Sequence, residues 1–134
     1  MAETRWQSET YADVGMELVR TEECLEGLRN SEAQVAFLAS DASPSKSGAP
    51  TLGRCELVQS KNQWAIPYDY CVVVYEPNCE GMSEEQLRIL LLHELMHVHI
   101  DHDKDGEEVY RVRPHDLEDF KLIIDRYGTE WAKV

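Results

Sequence analysis

SEEQLRILLLHELMH, residues 83–97, decides how the rest of the chain is read. Ser83 is a natural helix N-cap, and Gln86 three residues on completes a capping box. Glu84 and Glu85 suit the positive end of a helix dipole. Leu87, Leu90, Leu91, Leu95 and Val98 then keep apolar spacing, which predicts a helix running to about Ile100. Into its otherwise apolar surface the sequence sets His93, Glu94 and His97, the pattern H-E-x-x-H.

The spacing has a physical reason. Residues four apart lie one turn above each other on the same helix face. Both imidazoles can therefore reach one zinc ion at about 2.0–2.1 Å. Glu94 lies about 100° further round, so it can face the same cavity without being forced onto the metal. From there it can act as general base toward a metal-activated water and pass the proton to a leaving amine. The plainer alternative is a chance pattern with satisfied core histidines. Burying two imidazoles and a carboxylate without partners costs several kcal/mol, and a metal supplies those partners.

A catalytic zinc commonly takes a third protein ligand. His99 is turned about 200° from His97 on a continuing helix and is expected off the metal. His115, at the start of a last predicted helix, is the favoured third ligand. Glu118, His102 and an aspartate remain alternatives. Asp116 can orient a liganding imidazole or simply answer the helix dipole. Tyr110, Arg111, Arg113 and Tyr127 are candidate donors to an oxyanion, and nothing in the sequence selects among them.

Working outward, residues 69–76 (DYCVVVYE) form an apolar run that predicts a strand covered on both faces. Residues 54–59 (RCELVQ) and 34–39 (QVAFLA) predict two more strands. A helix is expected over residues 11–28, on the stripe Tyr11, Val14, Leu18, Cys24, Leu25 and Leu28. Residues 40–53 read as a long loop, and residues 1–10 as a segment able to be disordered. DHDKDGEE, residues 101–108, is polar, VYRVR after it a short extended piece, and a last helix spans about Pro114 to Tyr127 with Gly128 as its stop. Leu117, Phe120, Ile124 and Tyr127 are its expected apolar stripe. No repeat and no second domain are visible, so residues 1–134 are expected to be one domain.

Composition narrows the partners. A net charge of −13 argues against a nucleic-acid groove and against anionic membrane surfaces. No apolar run reaches membrane-spanning length, and the N-terminus MAETRWQSET lacks a signal core. A cytoplasmic protein is expected. Cys24, Cys55, Cys71 and Cys79 form no C-x-x-C pair and are expected as reduced core thiols.

HELMHV, preceded by DYCVVVY and SEEQLRILL and followed by RPHDLEDFKLIIDRYG, resembles the phage metallopeptidases, a zincin-like family of phages and bacterial genomes. The resemblance runs from roughly Thr51 to Trp131 and is strongest over residues 69–128. HELMH alone is shared with many zincins, whereas the PHDLEDF segment with its trailing RYG is more specific. The resemblance implies an α+β, zincin-like fold: a small sheet backed by helices, with the motif helix below the cleft. It implies His93 and His97 as zinc ligands, Glu94 as the catalytic carboxylate and His115 as the third ligand. Ile100 and Asp103 stand where the metzincin pattern needs Gly and His, which excludes that group. The expected activity is zinc-dependent hydrolysis of a peptide or protein substrate, in a bacterial or phage-infected cell. The rival is a zinc-stabilised binding or regulatory module without turnover, against which the retained Glu94 argues. Nothing in the pattern specifies an oligomeric state.

Overall fold

The computed structural model describes residues 2–58, 67–114, 121–128 and 131–132. The described residues form an α+β arrangement with one four-stranded sheet, two small hairpins and four helices.

The sheet runs β1 (Arg5–Gln7), β2 (Val35–Ser40), β6 (Tyr70–Tyr75), β5 (Gly53–Leu57) from edge to edge. β2 and β6 are parallel, from Val35↔Tyr70 to Ser40↔Tyr75, and the outer pairs are antiparallel. The apolar run of β6 is explained by its place inside the sheet. Val72, Val73 and Val74 are fully buried, and so in effect is Tyr75. One face carries the helices. The other is covered by long charged side chains: Arg5 bridges Glu3 at 2.5 Å and Glu56 at 3.2 Å, and Arg54 stacks over the Tyr75 ring. Arginine stems cover apolar surface while their heads stay in water.

β1 lies within residues 1–10. Its three residues are all exposed and carry no alternating pattern, yet they pair with Leu38, Ala39 and Ser40. The predicted 11–28 helix is three pieces: α1 (Glu9–Thr21), a 3-10 turn at Glu23–Leu25 and α2 (Glu26–Arg29). Ser8 caps α1 by accepting from Tyr11 N, and Gly15 lets α1 sit directly on Phe37, whose ring would lie 2.2 Å from an added Cβ. The 40–53 loop also holds structure, a hairpin of β3 (Ser45–Lys46) and β4 (Ala49–Pro50) turning through Ser47 and Gly48 at positive φ. Asn78, in the 3-10 turn after β6, donates to Pro44 O and Thr51 O and ties this segment down.

α3 (Glu84–Leu95) carries the expected capping box, with Ser83 Oγ accepting from Gln86 N and Gln86 Oε1 accepting from Ser83 N. Every residue from Ile89 to Met96 is buried. A helix segment apolar on most of its surface belongs in the interior, and α3 packs beside α1 on the same sheet, against β5 and β6.

The helix stops at Leu95, not near Ile100. Val98–His102 is a strand, β7, paired antiparallel with β8 (Glu108–Val112). Val98, Ile100 and Tyr110 are half-buried against the core, and β-branched residues favour this extended form. The acidic DHDKDGEE stretch is the turn of this hairpin. Asp103 Oδ1 accepts from Asp105 N at 2.8 Å and Glu107 N at 3.0 Å, and Gly106 takes φ 82°. Tyr70, fully buried, donates its hydroxyl to Arg111 O at 2.9 Å and so binds hairpin to sheet. α4 (Lys121–Tyr127) ends at Gly128 with φ 77°, as its C-terminal glycine predicted. Ile123 is its fully buried residue, with Leu122 and Tyr127 beside it. The expected start of that helix, with His115, Asp116, Leu117, Glu118 and Phe120, lies outside the described residues, as does the end of the 54–59 strand. No described helix is long and apolar enough to cross a membrane.

Candidate metal centre

The last turn of α3 presents His93 and Glu94 together, and the chain leaves the helix through His97. Glu94 is 4% exposed and His93 8%. The Glu94 carboxylate stands between two imidazoles: Oε2 is 3.9 Å from His93 Nε2 and Oε1 is 3.9 Å from His97 Nε2. One donor atom from each of the three residues lies within 4.8 Å of the others. The two rings meet edge to face, with centroids 5.3 Å apart.

His97 is fixed from outside the helix. Its Nδ1 lies 2.7 Å from Arg113 O. A carbonyl only accepts, so this bond puts a proton on Nδ1 and turns Nε2 toward Glu94. Arg113 N donates to His97 O at 2.7 Å, and Arg113 Nε donates to Met96 O at 2.5 Å. Three hydrogen bonds thus weld the chain at Arg113 to the point where α3 ends. They also explain why the helix ends there: the Met96 and His97 carbonyls are taken by Arg113.

The donor set fits a metal ion. Two imidazoles offer lone pairs, a carboxylate offers charge, and all three are withdrawn from water, where a bare carboxylate is costly. Separations under 4.8 Å can close onto one ion with bonds near 2 Å by small ring rotations. Among the described residues this is the group of three or more His, Cys, Asp or Glu side chains so placed.

Other candidates fall elsewhere. His99 and His102 are exposed on β7, opposite Arg111 and Glu108. Tyr110 gives its hydroxyl to Glu108 at 2.7 Å, and Arg113 Nε donates to Met96 O. All four cysteines are free; Cys55 is buried, Cys71 and Cys79 are half-buried and Cys24 is exposed, so the core-thiol expectation fails for Cys24. Burial pushes the Cys79 thiol up to about 11 and the Cys55 thiol higher still, which leaves both protonated and poor ligands.

Two neighbours of the centre were not foreseen. Gly53, at the start of β5, faces α3 so closely that an added Cβ would lie 3.4 Å from Glu94 Cγ and 3.0 Å from Val73 O. A glycine in a strand is itself a signal of close approach, but here it sat at the end of a loop-like stretch. Trp131 places its ring 5.8 Å from that of His93, and its sequence position gave no sign of this.

No curated protein and no solved structure matches the chain. A family model described as "Putative phage metallopeptidase" matches residues 4–134. That span takes in the motif helix, the sheet that backs it and the hairpin that returns to it, and the chain therefore belongs to this metallopeptidase family.

Proposed function

We propose that this protein is a zinc-dependent peptidase of zincin-like architecture. His93 and His97 hold the zinc, His115 completes the ligand set and Glu94 is the general base. The observation that carries the reading is the Glu94 carboxylate set 3.9 Å from each Nε2 in a buried recess at the end of α3. Two imidazoles with one further nitrogen or oxygen donor suit zinc. Bound there, zinc would polarise a scissile carbonyl and make water a usable nucleophile near neutral pH. Glu94 then takes the proton from the attacking water and delivers it to the leaving amine. Its carboxylate is held for this by α3 and by the bare backbone of Gly53.

His115 is supported by connectivity. It follows Arg113 by two residues, and two residues of chain span at most roughly 7 Å. Arg113 O already touches His97. For the substrate we favour an extended peptide added along β5. β6 is interior, paired on both sides, whereas β5 is an edge strand lying against the motif helix. The net charge of −13 gives no support to nucleic acid as a partner. Four free cysteines agree with a reducing, cytoplasmic setting.

The test pairs metal analysis with digestion of a peptide library read by mass spectrometry. Wild type is expected to hold about one zinc per chain and to cleave. Glu94→Gln is expected to keep the zinc and lose rate by about a thousandfold. Wild-type cleavage by Glu94→Gln would refute this mechanism. Zinc binding with no cleavage of any peptide would instead favour the binding module.

A further inference from the structure

Gln86 does more than cap α3. Its Oε1 accepts from Ser83 N, while its Nε2 donates to Trp131 O at 2.9 Å. Seven residues further on, two turns along and on the same face of the helix, His93 meets the ring of the same tryptophan, at 5.8 Å and an interplanar angle of 47°. One residue near the C-terminus is thus tied by its main chain to the first turn of the motif helix and by its side chain to the last.

We propose that Trp131 is a positioning residue of the metal centre, and that Gln86 is the clamp that holds it there. The indole forms a wall against one side of the His93 ring, and the His97 ring meets His93 edge-on at 5.3 Å. Confined between them, the His93 imidazole keeps its Nε2 turned toward Glu94, 3.9 Å away. A ligand already fixed in its binding orientation loses less rotamer freedom when it binds, so affinity rises without a new bond to the metal. The inference rests on the metal-centre reading.

Gln86→Glu separates the two roles of that residue. A carboxylate still accepts from Ser83 N, as the glutamate form of a capping box does, but it cannot donate to Trp131 O. The experiment uses the full chain and Co2+ alone, with affinity read against a competing chelator and indole emission read in parallel. In wild type, Co2+ should quench part of the tryptophan emission. Trp131→Phe should abolish that quenching and keep affinity within about threefold, because a phenyl ring still forms a wall. Trp131→Ala should weaken Co2+ binding about tenfold, and Gln86→Glu should do likewise while keeping the melting temperature of wild type. Wild-type affinity in both Trp131→Ala and Gln86→Glu would overturn the proposal, as would undiminished quenching in Trp131→Phe. Wild-type protein that binds no Co2+ at all would overturn the metal-centre reading, and this inference with it. A Trp131→Ala chain that fails to fold leaves the decision to Gln86→Glu, with the outcomes already named.

Discussion

At Arg113 the main chain returns to His97 with its carbonyl 2.7 Å from Nδ1, and the next residues of the sequence are Pro114 and His115. This contact ranks the remaining histidines. His99 and His102 are exposed on β7, and His102 lies five strand residues from His97, roughly 16 Å along an extended chain. A metal held by His93 and His97 would thus lie out of reach of His102 while the β7–β8 hairpin is intact. His115→Ala is therefore expected to weaken zinc binding by at least a hundredfold, and His99→Ala and His102→Ala by less than about twofold. Titration against a chelator checks this. Wild-type affinity in His115→Ala together with a loss in Glu118→Ala would give the third position to the carboxylate.

Between elements, the tightest fit around the centre is β5 against α3. Adding a methyl at Gly53 would press on Val73 O at 3.0 Å, Leu90 Cδ1 at 3.3 Å and Glu94 Cγ at 3.4 Å. A backbone carbonyl in a sheet cannot swing aside, so strand or helix must move. Gly53→Ala is expected to cost about 1–3 kcal/mol in urea unfolding. Gly27, within α2 and with nothing inside 4 Å of an added Cβ, is the control, and Gly27→Ala should be neutral or stabilising. Equal stability of the two variants would mean that β5 and α3 are not packed as described. The same elements show what was legible in the sequence. Ser83 and Gln86 announced the start of α3 because capping is local chemistry within four residues. The end of α3 was misread because Val98 and Ile100 continue a helical period as readily as they alternate in a strand. What decides between these is Arg113, sixteen residues away in sequence, bonding Met96 and His97. β1 was missed for a similar reason: three exposed residues carry no burial pattern, and only pairing with β2 makes them a strand. His93, Glu94 and His97 were legible because the last turn of α3 and the tight turn that ends it keep them near one another. Trp131 and Gly53 reach the same place through tertiary packing, which no local spacing encodes.

In the whole molecule the candidate metal centre is not an appendage. Its helix is buried from Ile89 onward, α1 and the sheet pack on it, and its last turn carries His93 and Glu94. The β7–β8 hairpin is fastened to the sheet through the Tyr70 hydroxyl and to the centre through Arg113. Unfolding must therefore scatter the donor atoms of His93, Glu94 and His97, and a metal that binds this set binds the native chain and not the unfolded one. Mass action then fixes the size of the effect. Free zinc at a hundred times its dissociation constant adds about 2.7 kcal/mol to the native state. For a chain of this size that raises the melting temperature by about 10 °C. The rise should grow with the logarithm of free zinc, vanish on adding a chelator, and be absent from the His93→Ala, His97→Ala double variant at every zinc concentration. Thermal unfolding in zinc-buffered solutions measures it. A zinc-dependent rise of equal size in the double variant would place the stabilising site elsewhere on the acidic surface. A melting temperature in wild type indifferent to zinc and chelator alike would remove the metal from the structure of this protein.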